Sequence, residues 1–493
     1  MKNNKNNFLK NLINFRSLRM LLLGFSSGLP ILLVFSTLSI WLIKAGVNRS
    51  TVTMFSWVGL AYSFKFIWTP IIDNLRLPIK NFGHRKSWLF FSQTIVIFGL
   101  IFISFTDPSK TLLYTAAGAV IIAFASATQD VIIDAYRIES APQKFQGILS
   151  SMYIAGYRIA MLVAGAGSLL LAAYFGVEVY NVNVWRSVYL SMASLMTIGI
   201  LTTIFLPEPK IIRNNSLISL KDQFRFLISF IIFIFIFIFF YSNLENPFTN
   251  GENLSKFLFA LLRIVLCFSI SIFAIYLLAK TQFIPKKSAY NAFSKPFLDF
   301  VNRYGKAAIV ILLLIGLYRI ADVVMGVMAN IFYLEKGFNI KEIATYSKFF
   351  GVFATIAGGI IGGYSSFKFG TIKCLFFGAL IAAASNLLFA WLAITEPSVN
   401  FLIIVITADN IASGFAGAAF VVYLSALTSI RFTATQYALF SSLMLLFPKV
   451  LAGYSGTIVD QIGYANFYIF TAIIGIPVLF LIFWISKIAP VKD

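Results

Sequence analysis

The chain has 493 residues, of which 59% are hydrophobic, 17% aromatic and only 12% charged. A soluble protein of this length needs a larger polar fraction, and each of the long apolar runs can cross a hydrocarbon core of about 30 Å as a helix. The net charge of +21, from 39 basic and 18 acidic residues, lies in short clusters between these runs. The apolar composition therefore argues against a soluble protein. The sequence shows no contiguous basic face with a nucleic-acid-recognition motif, which argues against a nucleic-acid-binding protein.

The chain contains too few cysteines and histidines for a disulfide framework or a histidine-based metal or catalytic site. Cys267 and Cys374 both lie inside apolar runs, which argues against a disulfide framework. His84 is the single histidine, so we expect neither a histidine-based metal centre nor a catalytic histidine pair, and we predict no cofactor. Residues 1–19 are rich in Lys and Asn and lead straight into an apolar run. They contain no small-residue cleavage site, which predicts an uncleaved first span.

The apolar runs predict an all-α polytopic membrane protein with about fourteen transmembrane helices. Lipid offers the backbone no hydrogen-bond partners, so each run is expected to be helical. The first six predicted spans are 18–43, 52–74, 88–106, 111–137, 147–175 and 186–206. Two more are 226–243 and 257–279, and the last six are 306–333, 342–366, 371–394, 400–428, 434–457 and 463–487.

These spans divide the chain into three predicted regions. They are a six-helix bundle at 1–206, a linker with two extra transmembrane helices at 207–302, and a second six-helix bundle at 303–493. Lys and Arg concentrate in alternate loops, and because cytoplasmic loops carry this excess, both termini are predicted to face the cytoplasm. The run 230–240 consists of Phe and Ile alone. Close helix contacts in membranes need small residues, so this helix is predicted to face lipid.

The two bundles show signs of an internal repeat, a recurrent plan in secondary transporters. In the fifth helix, Ser150 is followed eight positions later by Arg158, and in the eleventh helix Ser441 is followed eight positions later by Lys449. Chance similarity between Gly- and Ser-rich helices is the alternative. Glycine pairs with small-xxx-small spacing also predict tight helix crossings, whether static or moving; they are Gly24/Gly28, Gly358/Gly362 and Gly359/Gly363.

The fourth helix carries charges that need a reason, because ionisable groups inside a membrane are costly. Asp130, Asp134 and Arg137 share one helix face by their spacing of four and three residues. Arg158 on the next helix lies at a similar depth to Asp130, which predicts an ion pair between them. Such a pair is either a proton relay or substrate anchor, or a purely structural buried pair, and the sequence leaves both interpretations open.

Further charges occupy predicted spans of the second half. Arg319 and Asp322 lie three residues apart in the seventh helix, and Asp409 and Lys449 lie at matching depths in the tenth and eleventh. Lys65 in the second helix completes the set. Any one of these charges alone is more often structural. Together, clustered cations suit an anionic substrate and aspartates suit proton binding, which favours a transport pathway.

Several motifs resemble known families. The inner loop with Asp73, Gly83, Arg85 and Lys86 resembles the gating-loop signature of the major facilitator superfamily. Within that superfamily, five stretches resemble the AmpG muropeptide permease family, and the fourth-helix stretch is the most specific: 60–70, 127–137, 156–162, 432–439 and 466–468. The resemblance covers roughly residues 16–206 and 303–486.

The resemblance implies a major-facilitator fold, with two six-helix halves that rock around a central cavity. It also implies proton-driven import of GlcNAc–anhydromuropeptides across the inner membrane, with acetyl-CoA transporters as distant relatives. We expect the protein to work as a monomer. On these grounds and on the depths of the charges, the predicted substrate pathway is Lys65, Gln129, Tyr157, Arg158, Arg319, Gln436 and Lys449. The predicted proton-coupling residues are Asp130, Asp134, Asp322 and Asp409.

Three other functions are possible for a polytopic membrane protein of this kind: transport of another solute, a membrane-embedded transferase and a receptor. A transporter of another anionic solute, such as acetyl-CoA or a short peptide, fits the same charges. A membrane-embedded glycosyl- or acyltransferase needs acidic or histidine catalytic groups at a membrane face, and the outer loops are short and nearly free of them. A receptor without transport is disfavoured because the sequence contains no soluble signalling domain.

Overall fold

The computed structural model describes residues 14–47, 51–52, 55–77, 79, 82–176, 180–209, 220–244, 253–281, 283, 290, 294–339, 342–452 and 455–489. Within these residues the protein is helical and contains no β-strand. The chain forms two compact units. The larger comprises Met1–Ile67, Leu77–Ile211 and Tyr304–Asp493, and the smaller comprises Trp68–Arg76 and Ile212–Arg303.

The N-terminal part of the larger unit supplies most of the first bundle. Its helices are α1 (Phe15–Val34), α2 (Ser36–Lys44), α3 (Leu60–Phe64), α5 (His84–Ser104), α6 (Leu112–Ser140), α7 (Gln146–Leu162), α8 (Ser168–Tyr174) and α9 (Val182–Ile204). The short helix α4 (Thr69–Asn74) belongs to the smaller unit. Pro30 lies inside α1, which ends four residues later, as expected for a residue that removes one helical hydrogen bond.

The smaller unit contains the predicted extra helices, α10 (Leu220–Asn243) and α11 (Asn253–Lys280), followed by α12 (Lys295–Tyr304). On α10, the side chains of Ile231, Phe235, Ile238 and Phe239 are more than half exposed. That exposure supports the prediction that the Phe/Ile run faces lipid, because apolar groups this exposed need an apolar solvent.

The second bundle follows in the larger unit. Its helices are α13 (Ala307–Leu317), α14 (Ile320–Glu335), α15 (Gly351–Phe369), α16 (Thr371–Ile394), α17 (Val399–Leu427), α18 (Thr433–Ala452), α19 (Ser455–Ile473) and α20 (Ile476–Ile488). A π-helical segment at residues 343–350 leads into α15. Gly370 joins α15 to α16 with φ of +90°, a backbone conformation that glycine adopts without steric cost.

Ten helices in the described part of the chain are long and apolar enough to cross a membrane. This confirms a polytopic α-helical membrane protein, while the predicted count of about fourteen spans stays a prediction. Each bundle has its own apolar core. Trp41, Trp185 and Tyr189 pack together in the first, and Phe332, Phe389 and Tyr468 in the second.

Glycines set the closest helix crossings. A Cβ atom at Gly24 or Gly28 of α1 would lie 2.2 or 2.4 Å from a backbone oxygen of α7. At Gly358 or Gly362 of α15, the same atom would lie 2.2 or 2.6 Å from a backbone oxygen of α17. The tight crossings predicted from these two pairs are therefore confirmed. Gly359 would make only ordinary contacts at 3.8 Å.

Candidate functional site

The second bundle holds a charged centre at the junction of α13 and α14. Arg319 forms an ion pair with Asp322, three residues further on, as their spacing predicts. Ser413 of α17 accepts a hydrogen bond from the Arg319 guanidinium at 3.3 Å and donates one to Asp322 at 3.4 Å. Asp409, one helical turn before Ser413, accepts a hydrogen bond from Ser385 at 3.3 Å. It interacts electrostatically with Arg319 and Asp322, so these groups form one cluster.

Arg158 of α7 contributes a second guanidinium from the first bundle. Its charged neighbours are Arg319 and Asp322, so the cluster is completed across the two bundles. Arg158 forms none of the ion pairs found among the described residues. Asp322 is paired with Arg319, and with Asp409 the cluster holds two guanidinium groups and two carboxyl groups. Arg158 is therefore the guanidinium of the cluster that is left to pair with an anionic ligand group.

The first bundle holds a separate acidic centre on α6. Asp130 accepts a hydrogen bond from Ser27 of α1 at 2.5 Å, and the Tyr153 hydroxyl lies 2.9 Å from the same serine oxygen. Lys65 is the cation that interacts with both Asp130 and Asp134. All three charged side chains are buried. Tyr157, one turn after Tyr153, lies beside this centre and interacts with Asp130, Asp134 and Arg158.

The structure corrects the predicted pairing between Asp130 and Arg158. Asp130 instead faces Ser27 and Lys65, and Arg158 faces the second bundle. The physical reason is that α1 packs against both α6 and α7, which contact each other little. Helices adjacent in sequence are therefore not neighbours along the bundle, and equal depth does not bring their charges together.

Lys449 and Asp409, which the sequence places at matching depths, have different surroundings. Asp409 is held by Ser385 and the Arg319 cluster, whereas Lys449 on α18 is exposed and joins none of the ion pairs found in the described residues. Gln129 faces the interior of the first bundle, where it accepts a hydrogen bond from Ser26 at 3.2 Å. Gln436 accepts one from the Ser429 backbone at 2.8 Å, before the start of α18. The structure does not bring these three residues to the Arg158 cluster.

Arg137, three residues after Asp134, joins the two bundles at the end predicted to face the cytoplasm. Its guanidinium donates to Ser425 of α17 at 2.9 Å, and within its own bundle to Gln146 at 3.0 Å and Ser150 at 3.1 Å. It also pairs with Asp134 at 3.3 Å. The side chain is fully buried, so in this conformation the contact between the bundles excludes water there.

A close helix crossing accompanies this contact. Ser151 of α7 donates to the Gly359 carbonyl at 2.8 Å, and Gln143 donates to the Val422 carbonyl at 3.2 Å. A Cβ atom on Gly147 would lie 2.5 Å from the Gly363 carbonyl oxygen. The backbones of α7 and α15 thus touch directly, and the structure is closed at this end.

Three of the predicted gating-loop residues, Gly83, Arg85 and Lys86, lie next to two carboxylates that the sequence analysis missed. Arg85 is buried and pairs with Glu139, with a shortest distance of 2.6 Å. Glu208 accepts from the backbone amides of Arg85 and Lys86 at 2.9 and 3.2 Å, which caps the positive end of α5. A Cβ on Gly83 would lie 2.1 Å from the Glu208 side chain, so any larger residue there would require the Glu208 carboxylate to move.

Asp73 lies on α4 in the smaller unit. The signal that could have identified the two missed residues is acidity: Glu139 and Glu208 are acidic residues in inner segments otherwise dominated by Lys and Arg. Among the described residues, no cluster of three His, Cys, Asp or Glu side chains is arranged to hold a metal ion.

Comparisons with known proteins agree with this architecture. The family model described as Major Facilitator Superfamily matches residues 20–293. The chain is 30% identical over 475 residues to "Putative transporter AmpG 4" of Rickettsia felis, covering 96% of this chain and 97% of that protein. It is 28% identical over 470 residues to "Anhydromuropeptide permease" of Escherichia coli K12, covering 95% of this chain and 79% of that protein.

A solved structure shares the fold. The proton:xylose symporter XylE, bound to 6-bromo-6-deoxy-D-glucose, matches with a TM-score of 0.61 at 13% identity, covering 99% of this chain and 98% of that one. The predicted fold class and family are therefore confirmed, as is the prediction of a transporter rather than an enzyme. The chain belongs to the AmpG family of the Major Facilitator Superfamily, as a multi-pass secondary transporter of small molecules.

Proposed function

We propose that the protein imports anhydromuropeptides, anionic products of cell-wall turnover, across the inner membrane together with protons. The relatives named AmpG and anhydromuropeptide permease support this substrate class. The observation that carries the proposal is the position of Arg158 beside the Arg319–Asp322 pair, between the two bundles. In the proposed orientation both termini are cytoplasmic, and the protein works as a monomer.

The substrate site is proposed at the Arg158 cluster. A muropeptide carries peptide carboxylates, and a guanidinium binds a carboxylate through two parallel hydrogen bonds. Arg158 supplies the guanidinium that forms none of the ion pairs found among the described residues. Arg319 is positioned by Asp322 and Ser413, and it adds positive potential to the same site. A substrate carboxylate bound here would link the two bundles through its contacts with α7 and α14.

The proton site is proposed at the acidic centre of α6. Asp130 and Asp134 lie near each other around Lys65, so two carboxylates share one buried cation. Asp134 also pairs with Arg137, which closes the cytoplasmic end by its bond to Ser425. Protonation of this centre would weaken its hold on Arg137. A proton moving down 100 mV supplies about 2.3 kcal/mol, enough to bias the opening of such a contact.

A second candidate, import of another anionic solute, is supported by the same Arg158 guanidinium, which forms none of the ion pairs found among the described residues. Acetyl-CoA and short peptides also present anionic groups. The sugar part of a muropeptide distinguishes the candidates chemically, but the charged cluster alone would attract all of them.

Ligand binding to the purified protein tests the proposed substrate. GlcNAc–anhydroMurNAc–tripeptide is expected to raise the melting temperature in a concentration-dependent way, because a ligand bound to the folded state stabilises it. The same compound with its carboxylates converted to amides serves as the matched control and is expected to have little effect. Stabilisation by acetyl-CoA and none by the muropeptide would contradict the proposed substrate and favour the second candidate.

A further inference from the structure

Helix α12 (Lys295–Tyr304) has three faces of different character. Pro296 and Phe300 are buried. A second face is apolar and exposed: Phe297 is 44% exposed, Leu298 41% and Val301 47%. The third face is polar and carries Lys295, Asp299, Asn302 and Arg303. A helix that buries one stripe in protein needs no second apolar stripe for folding, so the exposed one requires an explanation.

The segment around α12 is strongly basic. Residues 280–306 contain six basic residues and one acidic residue, a net charge of +5. The single acidic residue, Asp299, is already paired with Arg303 at 3.0 Å. The charges on Lys295 and Lys306 are therefore available to an anionic partner; both side chains are exposed.

The position of α12 in the chain limits what its apolar face can contact. Only Gly305 and Lys306 separate it from α13, the first helix of the second bundle. Gly305 has φ of +52°, which ends the helix before the transmembrane segment begins. Chain continuity therefore keeps α12 within a few residues of the membrane surface, on the cytoplasmic side in the proposed orientation.

We propose that α12 binds the headgroup region of an anionic lipid leaflet. Its exposed stripe, Phe297, Leu298 and Val301, inserts at the boundary between headgroups and acyl chains, and its basic residues contact lipid phosphates. An apolar stripe beside a Lys- and Arg-bearing face is the pattern of helices that lie in a membrane interface. Basic clusters next to transmembrane helices are attracted to anionic lipids in the same way. A soluble protein or a second copy of the chain would instead bury the stripe in protein.

Fluorophore depth in nanodiscs tests the proposal without relying on transport. Cys267 and Cys374, both buried, are replaced by alanine, and a single cysteine is introduced by Leu298→Cys or, as the matched control on the polar face, Asp299→Cys. Each full-length protein is labelled with an environment-sensitive fluorophore and placed in phosphatidylglycerol nanodiscs. We expect the label at 298 to be quenched by nitroxides attached to lipid near the headgroup, and the label at 299 to be quenched by aqueous iodide.

Two comparisons make the result decisive. In the double variant Lys295→Gln/Lys306→Gln, quenching of the 298 label by lipid nitroxide should fall in phosphatidylglycerol and stay constant in phosphatidylcholine; unchanged quenching in both would refute the anionic assignment. Equal iodide quenching of the two labels would overturn membrane insertion. A 298 label protected from iodide but untouched by lipid nitroxide would mean that protein covers the stripe, which would also overturn the proposal. A wrong substrate proposal would leave all these readings unchanged.

Discussion

Arg158 and Arg319 have the same side chain but different surroundings. Arg319 pairs with Asp322, whereas Arg158 reaches this cluster from the other bundle without a carboxylate of its own. Arg158→Gln should therefore weaken substrate binding more than folding. A hydrogen bond to a charged group contributes about 1.5–3 kcal/mol, so uptake assays should show a rise in KM of roughly 10- to 100-fold.

Two variants control for this prediction. Arg158→Lys keeps the charge but loses the planar fork, so its effect should be smaller. Arg263→Gln removes an arginine that donates to the Tyr241 carbonyl in the linker, and its KM should be unchanged. Normal expression and a normal KM for Arg158→Gln would show that Arg158 does not bind the substrate.

Asp130 is predicted to carry a proton rather than substrate. Asp130→Asn keeps the shape and can still accept the Ser27 hydrogen bond, but it cannot bind and release a proton. Uptake driven by a proton gradient should fall to the level seen without a gradient, while exchange of labelled for unlabelled substrate at zero gradient should persist. Asp107→Asn is the control and should retain driven uptake. Asp107 lies in a loop predicted to be on the outer side and accepts hydrogen bonds from Ser109 and Tyr180. Loss of exchange and driven uptake together in Asp130→Asn would indicate a substrate or structural role.

The Arg85–Glu139 pair is predicted to act on stability. Both side chains are almost completely buried, and removing one partner of a buried pair typically costs about 3–5 kcal/mol. Glu139→Gln should therefore lower the melting temperature of the purified protein markedly. Asp222→Asn breaks a partly exposed pair with Arg225 at 3.6 Å, and it should cost less than about 1 kcal/mol. Equal melting temperatures for the two variants would contradict this account of the gating loop.

At the level of elements, glycine contacts between α7 and α15 hold closed the end that is predicted to face the cytoplasm. A Cβ on Gly363 would lie 2.0 Å from the Ser151 oxygen and 2.4 Å from the Gly147 carbonyl oxygen, while one on Gly359 would meet nothing closer than 3.8 Å. Gly363→Ala should thus disfavour the closed arrangement, and Gly359→Ala should not. Spin labels at Lys144 and Lys368, both exposed at this end, report the separation between the bundles.

The electron-spin distance distribution should shift to longer values in Gly363→Ala and match the parent protein in Gly359→Ala. Identical distributions in all three proteins would show that the α7–α15 crossing accommodates the added methyl group without separating the two bundles. A shift in both glycine variants would mean that α15 as a whole, rather than its contact with Gly147, sets the distance.

Hydrophobic runs predicted most elements well, and local backbone chemistry explains the exceptions. The predicted span 371–394 coincides with α16, because nothing inside that run interrupts a helix. The predicted span 52–74 is broken into α3, α4 and short 3₁₀ turns. Gly59 and Pro70 both fall within it, and each weakens a continuous helix. Helix α5 begins at His84, before the apolar run, because the Glu208 carboxylate caps it from a distant part of the chain.

At the scale of the whole molecule, sequence predicted the charges of the site but not which of them meet. Arg319 and Asp322 were both predicted as site residues, and their spacing of three residues allows the ion pair that the structure shows. The Asp130–Arg158 pair was wrong because hydropathy does not reveal that α1 packs against both of their helices. Short polar partners such as Ser27 and Ser413 gave no signal either, since serines are common in these helices.

The measurement that tests the central claim most directly is uptake of radiolabelled anhydromuropeptide into proteoliposomes, with and without an imposed inward proton gradient. The account predicts accumulation that depends on the gradient and is abolished by a protonophore. Equal uptake with and without the gradient would keep the substrate and contradict proton coupling. Folded protein that takes up no muropeptide under either condition, yet accumulates another anionic solute, would contradict the proposed substrate.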